Sequence, residues 1–506
     1  MPRNITFLSI ILLKLFCCLN IAAEEKSNWK RGVIRINTVI SAGKESIAEV
    51  AEKARKNQLD FLVFTDQFVV KVEYGVPLLR NVIKISKSRP GVMAFGIENY
   101  LTQIREADKK YSDIALIPGV DVAPHYYWDG LPFAGSFSCR QYSEQLTVFG
   151  PSSNDFYANL PVIHNDITEI SFGSMLKLLP LLLVLAGFIV IINRKNGGYK
   201  DAQGNTYPVK VKSKIFTGII FIIFGTLWTI NNRPFSRTFH FDQYKSYGLS
   251  PYQQLIDYVG SNSGKEPCGI FWSAPEATMK DVISGVHLIT APYFYDVSAT
   301  YGHNGFAGIY GDVSTAHEAG NEWDRMLMQY CRGERKKPPV VIGELDYHGK
   351  KRRIDMIQTV VNVDELDSSR IVDAVIRGKS YAYEKAVVKQ INIDRLQLSE
   401  GKKNAGLGET LHFSELKDVN LHLRGSISGS GGVTNITVSV ILNGKKMCIQ
   451  KQYGNRFNFE IPLKKELMES NRKNYIRLII KTNNAGRILT NPIYIENISL
   501  EKLTKS

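Results

Sequence analysis

Two apolar runs in the middle of the chain restrict its fold more than any other feature. They are Met175–Ile192 and Ile215–Ile230, each about long enough to cross the ~30 Å hydrocarbon core of a bilayer. The stretch Leu181–Ile192 has no polar face, and Trp228 lies where an interfacial aromatic residue is expected. A buried core helix is the alternative interpretation of either run. We expect a pair of membrane-spanning helices.

The segment between the two runs, residues 194–214, is strongly basic. It contains Arg194, Lys195, Lys200, Lys210, Lys212 and Lys214 against Asp201. Short loops rich in Lys and Arg are retained in the cytoplasm. The loop is therefore expected inside the cell, and both flanking portions of the chain on the outer, periplasmic or extracellular, side of the cell membrane.

The first 23 residues have the layout of a secretory signal peptide. Arg3 precedes an apolar run from Ile5 to Ile21, and Ala22-Ala23 follows it. Lys14 interrupts the run and Ile21 is bulky for a cleavage site, so an uncleaved N-terminal anchor is the alternative. Both interpretations export residue 24 onward, in agreement with a cytoplasmic basic loop.

Composition alone does not choose among several classes of partner. The chain has 506 residues and a formal net charge of +15, a bias compatible with nucleic acid, a membrane surface or anionic substrates. Export conflicts with nucleic-acid binding, so we expect the membrane, an anionic small molecule or an envelope protein as partners, and no nucleic acid. The six cysteines include no Cys-x-x-Cys spacing, which disfavours a zinc ribbon or a dense disulfide framework.

The exported portions divide into an α/β region and a β-rich region. Val33–Val39 and Phe61–Phe64 are typical of strands, and Ser46-x-x-Glu49 between them is a capping box that begins a helix. Further predicted strands are Ile114–Ile117, Gly269–Trp272, His287–Thr290 and Val340–Ile342, and predicted helices are Pro251–Val259 and Ser369–Arg377. This alternation predicts an α/β layered or barrel domain, interrupted by the apolar helices.

The pattern changes from about Val387 to short alternating strands. Thr437–Leu442 and Lys445–Gln450 flank Asn443-Gly444, which predicts a hairpin with a type I′ turn. We expect a C-terminal all-β sandwich over residues 386–506, with a packing or partner-binding role.

Polar residues follow several of the predicted strands, where α/β barrels keep their active sites. These segments are Arg35-Ile36-Asn37, Thr65-Asp66-Gln67, Pro118-Gly119-Val120-Asp121, Trp272-Ser273-Ala274-Pro275-Glu276 and Glu344-Leu345-Asp346-Tyr347-His348. With the turn Ser41-Ala42-Gly43, they resemble the polymerase-and-histidinol-phosphatase (PHP) family of metal-dependent phosphoesterases. The segments Trp323-Asp324-Arg325, Arg377-Gly378-Lys379-Ser380-Tyr381 and Asn491-Pro492-Ile493 resemble a membrane-associated branch of that family.

The resemblance implies a distorted (βα)7 barrel whose strand ends hold two or three metal ions that activate water against a phosphoester. The expected organisation is a barrel in two parts, residues 24–170 and 232–385. Transmembrane helices at 171–193 and 215–231, with the cytoplasmic loop 194–214 between them, separate the two parts, and the sandwich follows.

Most positions that the family uses for metal ligands are substituted in this chain. The His-x-His pair falls on Arg35 and Asn37, and the Asp of Ser-Asp-Gly falls on Ala42. Other family histidines fall on Gln67, Ser273 and on or near Arg140, and a family Glu is the shorter Asp121. Asp346 and His348 stand as in the family. A single metal site at Asp121, Asp346 and His348 is conceivable, but Arg35 would repel a cation there.

These substitutions predict a membrane-anchored, exported PHP-domain protein that is not a catalyst and has a binding or structural role in the cell envelope. No cofactor is then expected. The alternative is a phosphomonoesterase with a reduced site that holds Zn, Mn or Fe. For Arg35, two interpretations remain: an anion pocket with Asn37, Gln67 and Arg140, or an internal ion pair with Asp121 or Asp346.

Overall fold

The computed structural model describes residues 28–132, 137–165, 170–193, 197–209, 212–236, 241–262, 264, 266–283, 286–413, 419–463, 468–469 and 472–497. The signal peptide or anchor predicted at residues 1–23 lies outside the described residues. So do Arg194, Lys195 and Lys210 of the basic loop. The domain boundaries given above stay predictions.

The first half of the chain alternates short strands with helices. Its elements are β1 (Trp29–Ile36), α1 (Ile47–Lys56), β2 (Phe61–Phe64), β3 (Asp66–Gln67), β4 (Lys71–Gly75), β5 (Lys84–Ser88), α2 (Val92–Phe95), α3 (Ile97–Lys110), β6 (Ala115–Ile117), β7 (Gly119–Val122), β8 (Tyr127–Asp129), β9 (Ser138–Arg140), β10 (Leu146–Phe149), α4 (Asn154–Ala158), α5 (Phe172–Leu176), α6 (Leu181–Ile192), β11 (Gly197–Lys200), β12 (Thr206–Val209), α7 (Lys212–Asn231) and α8 (Ser250–Asn262). The predicted capping box is confirmed, since Ser46 and Glu49 exchange hydrogen bonds at the start of α1.

The second half is richer in strands. Its elements are β13 (Gly269–Trp272), β14 (Met279–Ile283), β15 (Val286–Thr290), α9 (Phe294–Ala299), β16 (Gly305–Ile309), α10 (Glu322–Cys331), β17 (Val340–Tyr347), β18 (Ile357–Asn362), α11 (Ser368–Ile376), β19 (Ser380–Lys385), β20 (Lys389–Glu400), β21 (Lys403–Ala405), β22 (Thr410–Phe413), β23 (Asn420–Gly429), β24 (Asn435–Leu442), β25 (Lys445–Tyr453), β26 (Arg456–Pro462), β27 (Asn474–Thr482), β28 (Gly486–Thr490) and β29 (Ile493–Asn497).

A ring of paired strands encloses the candidate site. Parallel pairs join β1 to β2, β2 to β6 and β3 to β7. The antiparallel strand β10 bridges β7 and β13, and parallel pairs then run through β16 and β17 back to β1. We call this arrangement the strand ring. Two of its strands, β2 and β13, are fully buried apolar runs, the pattern of parallel strands that are covered on both faces.

Two of the predicted strands coincide with β2 and β13, but His287–Thr290 does not join the ring. It forms β15, which pairs with β14 and β9 in a four-stranded side sheet. The alternating burial of β15, with His287 exposed and Leu288 buried, is the pattern of a half-exposed sheet rather than of a ring strand.

The apolar runs form two helical segments between β10 and β13. Phe172–Ile192 and Lys214–Asn231 are long and apolar enough to cross a membrane. Only 11% of the first apolar stretch and 17% of the second are buried inside the protein. The exposure disfavours the buried core helix considered above. The helices contact each other closely at small residues, because a Cβ added at Gly187 would lie 2.7 Å from the Gly218 carbonyl oxygen.

The C-terminal region consists of two sheets with an apolar core between them. One sheet is ordered β21-β20-β23-β26, and the other contains β24, β25, β27, β28 and β29. The predicted hairpin is confirmed, with Asn443 and Gly444 at φ 48° and 78° between β24 and β25.

Two connections couple the strand ring to the C-terminal region. The first half of β1 pairs with β18, and β18 and β19 continue the hydrogen bonding into β28. A buried ion pair then joins α10 to β27: Arg477 Nε and Nη2 each lie 2.7 Å from a carboxylate oxygen of Asp324. Arg477 also lies over the Trp323 ring, 4.5 Å from its centroid.

Candidate functional site

Arg35 lies near the end of β1 in a strained backbone conformation. Its φ is 71°, and the pairing of β1 with both of its neighbours shifts register between Ile34 and Ile36. Asp346 on the adjacent strand β17 has φ 52°. Positive φ at a non-glycine residue costs roughly 1–3 kcal/mol, and such residues cluster at functional sites. The bulge turns the Arg35 side chain toward the acidic end of the ring.

The Arg35 guanidinium is surrounded by carboxylates. Its Nε donates to Asp121 Oδ2 at 2.7 Å, and its Nη1 lies 2.7 Å from Glu344 Oε1. Asp346 Oδ1 is 3.4 Å from Nε. The Gln145 side-chain oxygen accepts a hydrogen bond from Nη2. The Arg35 side chain is only 10% exposed, so these interactions are shielded from water.

Three carboxylates therefore face one permanent cation. Burial by itself would lower the pKa of the Arg35 guanidinium, but Asp346, Glu344 and Asp121 raise it well above its ordinary value. Burial raises the pKa of Glu344 to about 7, against the opposing effect of Arg35. Burial likewise raises the pKa of Asp121. We call Arg35, Asp121, Glu344 and Asp346 the ion-pair cluster.

His348 extends the ion-pair cluster toward solvent. Its Nε2 is 3.1 Å from Asp346 Oδ1, and this hydrogen bond raises the pKa of His348. Burial opposes ionisation of Asp346, but Arg35 and His348 hold the pKa of that carboxyl well below its usual range. Both side chains are more than a third exposed, so the pair forms the accessible edge of the site.

A chain of hydroxyl groups supports Asp121 from the opposite side. Thr147 Oγ1 donates to Asp121 Oδ1 at 2.9 Å, and Ser273 Oγ lies 2.6 Å from Thr147 Oγ1. Ser273 thus contacts Asp121 indirectly, through the Thr147 hydroxyl group. All three residues are buried.

Asp66 is held by the turn that follows β1. The Thr38 amide and hydroxyl groups donate to its two oxygens at 2.7 and 2.8 Å, and Ser41 donates as well. Burial raises the pKa of Asp66. The turn is tight, because a Cβ at Gly43 would lie 2.1 Å from the Asn37 carbonyl oxygen.

The remaining substituted positions are dispersed around this centre. The Asn37 side chain is buried and accepts from Ser41, whereas Ala42 is exposed in the turn. Gln67 is half-buried and lies beside Asp121 in the register of β3 with β7. Arg140 is in β9 of the side sheet, where its Nε donates to Asp129 at 3.2 Å.

Two residues of the site, Glu344 and Gln145, had no role assigned from the sequence, although Glu344 lies in one of the polar segments quoted above. Glu344 and Asp346 are two positions apart on a strand, a spacing that places both side chains on one face, so this signal was present. No pattern in the sequence singled out Gln145, which immediately precedes β10.

The residues present do not fit a divalent metal while Arg35 holds its position. A metal between Asp121 and Glu344 would need the volume that the guanidinium fills at 2.7 Å from each. Among the described residues, no group of three or more His, Cys, Asp or Glu is arranged to hold a metal ion. The contacts of Arg35 correspond to the internal ion pair, with Glu344 as an additional partner. The single metal site and the anion pocket stay predictions.

Known proteins similar to this chain were found among solved structures. No family model matches the chain, and no curated protein matches it. One similar solved structure is a two-domain protein from Bacteroides vulgatus described as containing a PHP-like metal-dependent phosphoesterase. It is 10% identical with a TM-score of 0.35, and the match covers 92% of this chain and 95% of that one. Another, from Bifidobacterium adolescentis and described as a metal-dependent phosphoesterase, is 13% identical with a TM-score of 0.26, over 63% and 88% of the two chains. With values this low, the description of the fold rests on the strand pairings of the chain itself.

Proposed function

We propose that this chain is a membrane-anchored, exported protein whose strand ring is a PHP-like barrel without hydrolytic activity. Its role is binding or structural, in the cell envelope. The observation that supports the loss of activity is the Arg35 guanidinium, 2.7 Å from both Asp121 and Glu344.

A guanidinium balances carboxylate charge but cannot replace the chemistry of a metal. A catalytic metal lowers the pKa of a bound water and polarises the phosphoester. The Arg35 guanidinium cannot coordinate a water as a metal does. It donates hydrogen bonds to Asp121 and Gln145 and forms an ion pair with Glu344. The ion-pair cluster therefore retains the acidic lining of such a site while the step that generates a nucleophile is lost.

The membrane part of the proposal is supported by the two apolar helices and the basic segment between them. A reporter that is active only in the cytoplasm should work when fused after Gly204, in the turn between β11 and β12. It should fail when fused after Asp121 or after Glu496. The physical reason is that Lys and Arg in short loops oppose translocation. The reverse pattern of activity would contradict this topology.

The proposed absence of hydrolytic activity can be tested by measuring the metal content and the phosphatase activity of the purified chain. We expect the full-length chain, purified in detergent and incubated with Zn, Mn or Fe before dialysis, to retain well under one equivalent of metal. Hydrolysis of p-nitrophenyl phosphate should not exceed that of the His348→Ala variant. The reason is that Arg35 occupies the space between the carboxylates that would have to bind the ion.

The alternative, a reduced metal site, has a specific feature in its favour: the exposed pair Asp346 and His348. Stoichiometric metal that is lost in His348→Ala but kept in His422→Ala would establish that alternative and contradict the proposal. His422 is a suitable control because it lies in β23, where it contacts Ser399 at 2.7 Å.

A further inference from the structure

The β4–β5 hairpin presents apolar side chains to its surroundings instead of burying them. Val76, Leu78, Ile83 and Ile85 are all exposed, with Leu78 91% and Ile85 74% accessible. We call these four residues the hairpin tip. Leu78 also has φ 73°, a conformation that favours glycine or asparagine. A strained, fully exposed leucine adds no stability to a protein in water, so the hairpin tip needs another explanation.

The hairpin is bound to the end of the second apolar helix. The Asn81 amide donates to Asn231 Oδ1 at 3.0 Å, and Asn81 Nδ2 donates to the Asn231 carbonyl oxygen at 2.7 Å. Asn231 is the last residue of α7, and the apolar segment Lys214–Asn231 has 18 residues. At 1.5 Å per residue it spans roughly 27 Å, close to the ~30 Å hydrocarbon thickness. Asn231, and with it the hairpin, then lies at the outer boundary of the bilayer.

Contacts within the hairpin and contacts with Tyr244 hold the hairpin beside the end of α7. The Arg80 guanidinium lies over the Tyr244 ring at 3.7 Å from its centroid, and the Gly75 amide donates to the Tyr244 hydroxyl at 2.9 Å. Lys71 and Lys84 are each 3.0 Å from Glu73 Oε2. An isolated two-stranded hairpin is marginal in water. The Lys–Glu73 pairs join its two strands to each other, and Tyr244 ties it to the segment that follows α7.

Further exposed apolar residues lie at the ends of the two helical segments on the side where Asn81 contacts Asn231. Ile170 and Phe172 lie at the start of the first helical segment, and Phe235 follows the second; all three are exposed. Trp228, one turn before the end of α7, is exposed at the depth where interfacial aromatics concentrate.

We propose that the hairpin tip inserts into the outer leaflet of the membrane, at the boundary of the acyl chains. This inference depends on the proposed membrane span of α7. Lipid is the occupant because the hairpin is hydrogen-bonded to the end of α7, and lipid covers the exposed surface of α7 in the proposed topology. Apolar side chains without polar groups gain free energy in that environment. The strained loop is thereby a second membrane contact that fixes the tilt of the strand ring over the bilayer.

An environment-sensitive fluorescent amino acid at position 78 of the full-length chain, reconstituted into liposomes, tests this insertion. We expect blue-shifted emission that is mostly lost when the liposomes contain brominated phosphatidylcholine. The same label at Ile223, an exposed position of α7, is the positive control. A label at Tyr453 of β25, which is 74% exposed, should be neither shifted nor quenched.

The possible outcomes separate this proposal from the membrane span itself. Quenching at 223 without quenching at 78 overturns the insertion and leaves the span intact. Absence of quenching at 223 overturns both. A blue shift at 78 without quenching indicates a protein partner or a second copy of the chain and also overturns insertion into lipid. Cross-linking with photoactivatable lipids tests the insertion in the unmodified chain, without a label at position 78. The lipids should cross-link to the peptide that covers residues 76–85. A lack of cross-links to this peptide contradicts the proposal.

Discussion

Replacement of Arg35 by alanine is expected to lower the free energy of unfolding by about 3–5 kcal/mol near pH 8, because it leaves buried carboxylates without their cation. Asp121 and Glu344 are almost fully buried, and each loses a contact of 2.7 Å. The measurement is the urea midpoint of the full-length chain in detergent, followed by the fluorescence of tryptophans such as Trp272 in the ring. This loss should be among the largest for any single substitution in the chain.

The loss should shrink as the pH falls. Even with Arg35 in place, burial raises the pKa of Glu344 to about 7, so its charged form destabilises the fold above that pH and protonation removes the penalty as the pH falls. Without Arg35, burial raises the pKa values of Asp121 and Glu344 further. Their protonation at lower pH removes the buried negative charge, so the variant regains part of its free energy of unfolding. The deficit relative to the parent chain should be smaller at pH 5 than at pH 8. An unchanged midpoint at both values would contradict the ion-pair cluster.

Two controls make this result specific. Glu344→Gln combined with Arg35→Ala removes one of the buried negative charges and should recover part of the stability that the single variant loses. Arg377→Ala removes an exposed ion pair with Asp373 and should change the midpoint little.

Replacement of Asp324 by alanine should lower the free energy of unfolding by a comparable amount, about 3–5 kcal/mol, because it leaves a fully buried arginine without its counter-ion. Arg477 loses both 2.7 Å contacts, and the Tyr475 hydroxyl and the Gly320 amide lose their acceptor. Since Asp324 is in α10 and Arg477 in β27, the variant should weaken the ring and the C-terminal sheets together. The same unfolding assay measures this, together with the rate of limited proteolysis.

The matched control for Asp324 is another ion pair between the two regions. Lys379 and Glu409 are 2.8 Å apart, and both side chains are well exposed. Lys379→Ala should therefore have a small effect, since solvent and salt screen such pairs. Equal losses in Asp324→Ala and Lys379→Ala would show that burial of the Asp324–Arg477 pair is not what makes it important.

The sequence predicted those elements whose signal is local. The capping box at Ser46 and the turn at Asn443-Gly444 depend on hydrogen bonds and backbone conformations of a few adjacent residues, and both were confirmed. The sheet that joins β1 to β18 could not be foreseen, because pairing between residues so distant in sequence leaves no periodicity. For the same reason, His287–Thr290 was grouped with the other barrel strands, although it belongs to the side sheet.

At the candidate site, the sequence identified most of the site residues but not all the side chains that they contact. Arg35, Asp121 and Asp346 were recognised from their places after predicted strands, and they do meet in the structure. The partners of Arg35 depend on the bulge at φ 71°, which no residue pattern marks. Arg140 was expected near Arg35 because of its place in the sequence order, but β9 belongs to the side sheet and directs Arg140 to Asp129.

The strand ring also sets the order of events while the protein is made. Its first strand pairs with its last, Ile34 opposite Glu344, and the two apolar helices are encoded between β10 and β13. If these helices span the membrane as proposed, translocation of the N-terminal strands stops and later resumes before the ring can close. Until then, β1 has no β17 to pair with, and its apolar side chains are not covered. Membrane integration thus becomes a checkpoint for folding, and a chain that fails to integrate exposes half a ring to proteases.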